Sequence, residues 1–111
     1  MDNKKVLEIA RKFASAIMAN YDCKQIYLFG SYVKGTNNED SDIDIAVIFD
    51  EFENILDMQL ELMRLRRNID SRIEPHPFRK EDFNLSNPIA YEILKHGRKI
   101  NIKPVPKKQN H

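Results

Sequence analysis

Two short segments, Gly30-Ser31 and Asp42-Ile43-Asp44, hold residue types suited to phosphate and metal chemistry, and ten residues separate them. Side chains alternate across an extended strand, so Asp42 and Asp44 leave one face while Ile43 points away into a core. Two carboxylates that close repel each other. A multivalent cation removes the repulsion, and magnesium, a hard ion satisfied by oxygen ligands, suits acids that also face a triphosphate; manganese accepts the same donors. Gly30 lets a phosphate approach the backbone, and Ser31 adds a hydroxyl donor for a β- or γ-phosphate where the chain enters a short helix with free N–H groups. Lys34, one turn on, is a cation placed to neutralise β/γ-phosphate charge, or a solvated lysine. Each piece alone is an ordinary turn or strand start. Their spacing lets one strand end hold a leaving pyrophosphate while the next holds metal ions.

The elements that position these residues follow from periodicity. Val6, Ala10, Phe13, Ile17 and Tyr21 recur at helical spacing, predicting an amphipathic helix over 4–20 that lies on a sheet. The segment 25–29 is a first strand ending at Gly30, followed by a brief helix that Gly35 closes in a left-handed conformation. Residues 36–41 form a polar loop, and 42–49, apolar on both faces past Asp44, is a central covered strand. A helix over 53–68 has Leu56, Leu60 and Met63 on one face and Met58, Leu62, Leu65 and Ile69 nearly opposite, more apolar surface than one sheet contact requires. Core loops or a docked protein must cover the surplus. Arg72 to His76 is a third strand that Pro75 and Pro77 end, with helical turns near Arg79 to Phe83. Asn87 and Pro88 are the cap and first residue of a last helix that Gly97 closes, and 100–102 adds an edge strand. His76, just beyond Glu74, fits a structural histidine at a strand end, with contact to a nucleotide or acceptor as the alternative.

The 111 residues amount to one domain, 1–103, followed by a basic, disordered tail, 104–111, with Lys107 and Lys108 after Pro104 and Pro106. That tail lacks the interleaved aromatics of a nucleic-acid surface, so nucleic acid is not the expected partner. No apolar run approaches the roughly 20 residues of a membrane span, and no signal peptide opens the chain, so a cytoplasmic protein is expected. The single cysteine, Cys23, cannot form an internal disulfide and is expected to be inert.

Gly30-Ser31, ten residues, then Asp42-Ile43-Asp44 resembles the signature of the minimal nucleotidyltransferases, a branch of the DNA polymerase β-like superfamily. The order helix, strand, Gly-Ser helix, two-acid strand, helix, strand is also similar to that family's core up to about residue 102. The resemblance implies an α/β (α+β) fold, a small mixed sheet with helices packed against it, and nucleotide transfer using two divalent metal ions. Such enzymes place a third carboxylate on the next core strand. Glu74 occupies that position, although aspartate is the commoner residue there; Asp70 and Glu81 lie outside the predicted strand. The resemblance thus implies Asp42, Asp44 and Glu74 as catalytic and metal-holding residues and Gly30, Ser31 and Lys34 as nucleotide-binding ones.

The chain has no residues left for the helical acceptor-binding domain that larger members of this superfamily carry. Its size resembles the minimal nucleotidyltransferase antitoxins, which silence a helical HEPN-family ribonuclease toxin by adding adenylate from ATP to a toxin tyrosine. That likeness implies a toxin partner on the surplus face of the third helix, in a homo- or hetero-oligomer. Two other readings stay open: transfer to a small hydroxyl compound, as in aminoglycoside nucleotidyltransferases, and a binding module that masks its partner without chemistry.

Overall fold

A computed structural model describes residues 3–102, so the expected tail, 104–111, lies outside the described residues. Helix α1 spans Asn3–Asn20 and buries Val6, Ala10, Phe13, Ala14 and Ile17, the stripe its periodicity predicts. Strand β1, Cys23–Phe29, leads through Gly30 into a single-turn helix α2, Ser31–Lys34, which Gly35 ends at φ 75° and ψ 18°, the expected left-handed cap. Strand β2 is Ile43–Phe49 and helix α3 is Ile55–Leu65, extended by one 3-10 turn, Arg66–Asn68. Asn54 caps α3 by accepting from the N–H groups of Leu56 and Asp57. Strand β3, Ile73–Arg79, a 3-10 turn Lys80–Asp82, helix α4, Pro88–His96, and strand β4, Arg98–Lys99, follow within the described residues. Asn87 caps α4 through the N–H groups of Ile89 and Ala90, with Pro88 in the first turn, as the sequence implies.

The four strands form one mixed sheet in the order β3-β2-β1-β4. β1 runs antiparallel to both β2 and β4, whereas β2 and β3 are parallel, joined by α3 as a crossover. β2 is therefore central, which explains its burial from Ile45 through Phe49. Alternation gives the sheet two unlike faces. Ile26, Leu28, Ile43, Ile45, Val47 and Ile73 join α1 and Leu62 of α3 in the larger core. Tyr27, Ala46 and Ile48 face the other way, where Ile93 of α4 covers them with Phe29, Phe78 and Phe83 at the margin. One short helix cannot roof that whole face. It leaves open the end where β1 finishes and β2 and β3 begin.

Two boundaries differ from expectation. β3 continues through both prolines rather than ending at His76. It is an edge strand, and a proline whose missing N–H falls on the unpaired side removes no ladder bond. That outer edge is further closed by side chains: Arg66 Nη1 donates to the Ile73 carbonyl at 2.7 Å and Gln59 Nε2 to that of Pro75 at 3.4 Å. The final strand lies two residues earlier than expected, pairing Arg98 and Lys99 with Leu28 and Tyr27, and Ile100 N–H donates to the Ile26 carbonyl at 2.8 Å.

Cys23 is buried, with its thiol directed to the carbonyls of Gln25 and Ile48, and burial pushes its pKa up from 9.0 to about 11. The neutral thiol is thus favoured in the folded state, so its share of stability is intact below pH 9.0 and lost as pH rises towards 11. A thiol-alkylating reagent at pH 7 is expected to leave the folded protein unmodified and to label Cys23 in urea. Prompt labelling of the folded protein would contradict this packing.

Candidate active site

The antiparallel pairing of β1 with β2 sets Phe29 opposite Asp44, so the turn at Gly30 begins beside the Asp44 carboxylate. Gly30 has φ 83° and ψ −152°, a region essentially reserved for glycine. The space is equally restrictive: a Cβ added there would lie 2.4 Å from Asp44 Oδ2. Backbone and carboxylate therefore approach as no side chain would allow. From Gly30 the chain enters α2, whose first N–H groups have no intrahelical carbonyl to meet, and Val33 and Lys34 donate back to the Gly30 carbonyl. Buried Tyr32 anchors this turn in the larger core and directs its hydroxyl to the Ser41 carbonyl at 3.5 Å. The loop that follows is held by Asn38, which accepts from Asp40 N–H at 2.8 Å, while Ser41 Oγ accepts from Asn38 N–H at 2.9 Å. This loop delivers Asp42, exposed, one residue ahead of β2.

Ile43 is fully buried between Asp42 and half-buried Asp44, the alternation expected of them. The parallel ladder of β2 and β3 pairs Asp44 with Glu74, so those two side chains leave the same sheet face from adjacent strands. Asp70 is engaged elsewhere: Arg72 holds it through two bonds, Nε to Oδ1 at 2.9 Å and Nη2 to Oδ2 at 2.6 Å, and this guanidinium keeps its carboxyl below the ordinary value. Glu81 is exposed in the 3-10 turn after β3. Glu74 is thus the β3 acid that the sheet sets beside Asp44. Lys34 forms an ion pair with Glu92 of α4, which lowers the Glu92 pKa, so a phosphate contact by Lys34 requires that pair to open.

His76 contacts one of the candidate acids. Its Nε2 lies 3.0 Å from Asp44 Oδ1, and its ring packs edge-on against Phe29 with centroids 5.0 Å apart. Asp44 is consequently held by imidazole at one oxygen, while the other lies where a Cβ at residue 30 would have to go. No local signal announces a contact between residues 32 positions apart; only the parallel register brings His76 beside Ala46, one step along the same face from Asp44.

Among the described residues no three His, Cys, Asp or Glu side chains form a ready-made metal cage. Magnesium rarely needs one, because it is commonly held by one or two carboxylates together with substrate phosphates. Asp44, half-buried with one oxygen against a backbone that no Cβ crowds, and Asp42 two residues before it supply hard oxygen donors of that kind. The residues fit such an ion.

The chain as a whole is similar to known proteins. The sequence profile of the family described as polymerase beta, nucleotidyltransferase, matches residues 11–104. A Methanocaldococcus jannaschii protein provisionally named a protein adenylyltransferase is 38% identical over 71 residues, 52% of this chain and 83% of that protein. The protein adenylyltransferase MntA of Shewanella oneidensis is 34% identical over 76 residues, and the match spans 68% of this chain but only 51% of MntA. Among solved structures, a toxin–antitoxin crystallised with AMP-PNP superposes with a TM-score of 0.64 at 27% identity, covering 81% of this chain and 70% of that one.

The two glycines with positive φ make contrasting tests. Asparagine tolerates the left-handed region, and nothing lies within 4 Å of a Cβ at Gly35, so Gly35→Asn should melt close to the parent. Gly30→Asn meets both the forbidden backbone region and Asp44, and should lose roughly 1–3 kcal/mol in urea unfolding from the backbone alone. Equal melting of the two variants would contradict both the backbone restriction and the crowding by Asp44 at residue 30.

Proposed function

We propose, since the chain belongs to the polymerase beta nucleotidyltransferase family, that it transfers AMP from ATP onto a tyrosine of a helical HEPN-type toxin and so acts as an antitoxin in the cytoplasm. The observation that carries this reading is the closeness of Gly30 to the Asp44 carboxylate, where no Cβ would fit, which supports a phosphate cradle and an acid sharing one site. The kinship with proteins named adenylyltransferases, and with a toxin–antitoxin crystallised with a nucleotide analogue, supports adenylate as the group moved and a toxin as the acceptor.

In this reading Gly30 and Ser31 receive the β- and γ-phosphates at the start of α2. Asp42, Asp44 and Glu74 would hold divalent ions, two magnesium ions or manganese in their place. When bound, such ions neutralise charge on the attacking and leaving oxygens of an in-line displacement. Asp44 would enter that role already oriented by His76, so little is lost in arranging it. Glu74, in register with Asp44, takes the acceptor proton. Lys34 becomes a phosphate contact once released from Glu92.

The partner's surface is supported by α3. Leu62 is buried and Met58, Leu65 and Ile69 pack against the core, yet Leu56 and Leu60 of the other face are 66% and 52% exposed. No described segment of this chain covers them, which favours a docked protein over covering loops.

Glu74→Gln is expected to abolish adenylate transfer to a HEPN-type toxin supplied as acceptor while MgATP still binds, measured by intact mass of the acceptor and by calorimetry. Undiminished transfer would remove Glu74 from the chemistry. Asp42→Asn combined with Asp44→Asn should destroy both transfer and silencing of the partner; if that double variant still silences it, masking rather than catalysis is the antitoxin activity.

A further inference from the structure

On a helix that turns about 100° per residue, Leu60 of α3 lies nearly opposite the buried Leu62 and so marks the middle of the outward face. Exposed Leu56 and half-buried Met63 lie to one side of Leu60, one turn before it and one turn after it. Asp57 and Arg64, both exposed, lie to its other side in the same way, the acid in the first turn of the helix and the base in the last. Among the described residues neither of these two side chains has an ion-pair partner.

Two such helices laid antiparallel about a two-fold axis through Leu60 exchange ends but keep their sides. Leu60 then meets Leu60, Leu56 meets Met63 of the second copy, and Asp57 meets Arg64 of the second copy. The last two contacts each occur twice. We propose that two copies of this chain pair through antiparallel α3 helices, with Leu60 on the two-fold axis.

A two-fold interface must be complementary to itself, a condition that no other partner imposes. A leucine row edged by charges in any order would suit many amphipathic helices. An acid and a base set one turn to either side of the central leucine, on one flank, with two apolar residues so placed on the other flank, suit a copy of the same helix. Parallel pairing would set Asp57 on Asp57 and Arg64 on Arg64, and like charges oppose it. The helix dipoles agree with the antiparallel sense, which puts each positive N-terminus beside a negative C-terminus.

Three turns of helix bury less than the roughly 800 Å² that each partner gives to a standard interface, so the dimer is weak and depends on concentration. It yields to a tighter occupant, and a toxin seated on the same leucines would displace the second copy. The pairing needs no nucleotide and stands apart from the transfer reading.

Sedimentation equilibrium of the full chain, without nucleotide or toxin, is expected to show a reversible monomer–dimer equilibrium between about 10 and 500 µM. Leu60→Glu, at an exposed position, should fold and leave only monomer. Asp57→Arg and Arg64→Asp should each raise the dimer Kd about tenfold, because each turns two attractive contacts into two repulsive ones. Combining them restores opposite charges across the axis and should return the Kd to within about threefold of the parent. Such recovery has no counterpart in a partner of another sequence or in a simple loss of helix stability. A chain that stays monomeric throughout would overturn the proposal, as would a dimer indifferent to Leu60→Glu or a double variant no better than the single ones. If the chain is monomeric and Leu60→Glu weakens only the binding of a HEPN-type toxin, the face belongs to the toxin instead.

Discussion

The approach of the Gly30 backbone to the Asp44 carboxylate constrains everything around it. A Cβ at residue 30 would sit 2.4 Å from Asp44 Oδ2, and the backbone there occupies a region that costs other residues on the order of 1–3 kcal/mol. That approach requires β1 and β2 to be antiparallel neighbours in the register that opposes Phe29 to Asp44. It also requires α2 to start where it does, with Tyr32 sunk in the core to hold it. A one-residue slip in the ladder would turn Asp44 towards the larger core and expose Ile43 or Ile45. The fully buried isoleucines on either side of Asp44 thus help to fix the position of the acid.

An asymmetry in how the sheet is covered then makes the site usable. Helices α1 and α3 seal one face, and the charged residues between Ile43 and Phe49 and between Ile73 and Arg79 all belong to the other face or to the strand ends. Helix α4 covers only the centre of that second face, over Tyr27, Ala46 and Ile48. Asp44, Glu74 and His76 remain half-buried, shielded enough to be oriented and open enough to meet a substrate. The prolines of β3 serve the same end. They keep an edge strand from pairing with other chains and leave side-chain grooves, rather than backbone donors, as its means of contact.

Much of this was legible in the sequence because it depends on short-range chemistry. The stripe of α1, the left-handed Gly35, the Asn87-Pro88 cap and the burial of Ile43 between two acids all follow from residues within a turn or two of one another. The separation of Gly30-Ser31 from Asp42 and Asp44 singled these residues out as candidates before any strand had a neighbour, since a strand end and the next strand start are joined by one short helix and a loop.

What tertiary structure alone decided are contacts whose partners lie far apart in the chain. That β3 pairs parallel with β2 placed Glu74 beside Asp44 and His76 against its carboxylate, and made two prolines harmless by putting them on an unpaired edge. The ion pair of Lys34 with Glu92 depends on α4 folding back over the second face, and the shift of β4 depends on which residues meet Tyr27 and Leu28. Residue types and local spacing determine which groups are capable of the chemistry. Strand order and register, set by the burial of the whole core, determine which of them meet.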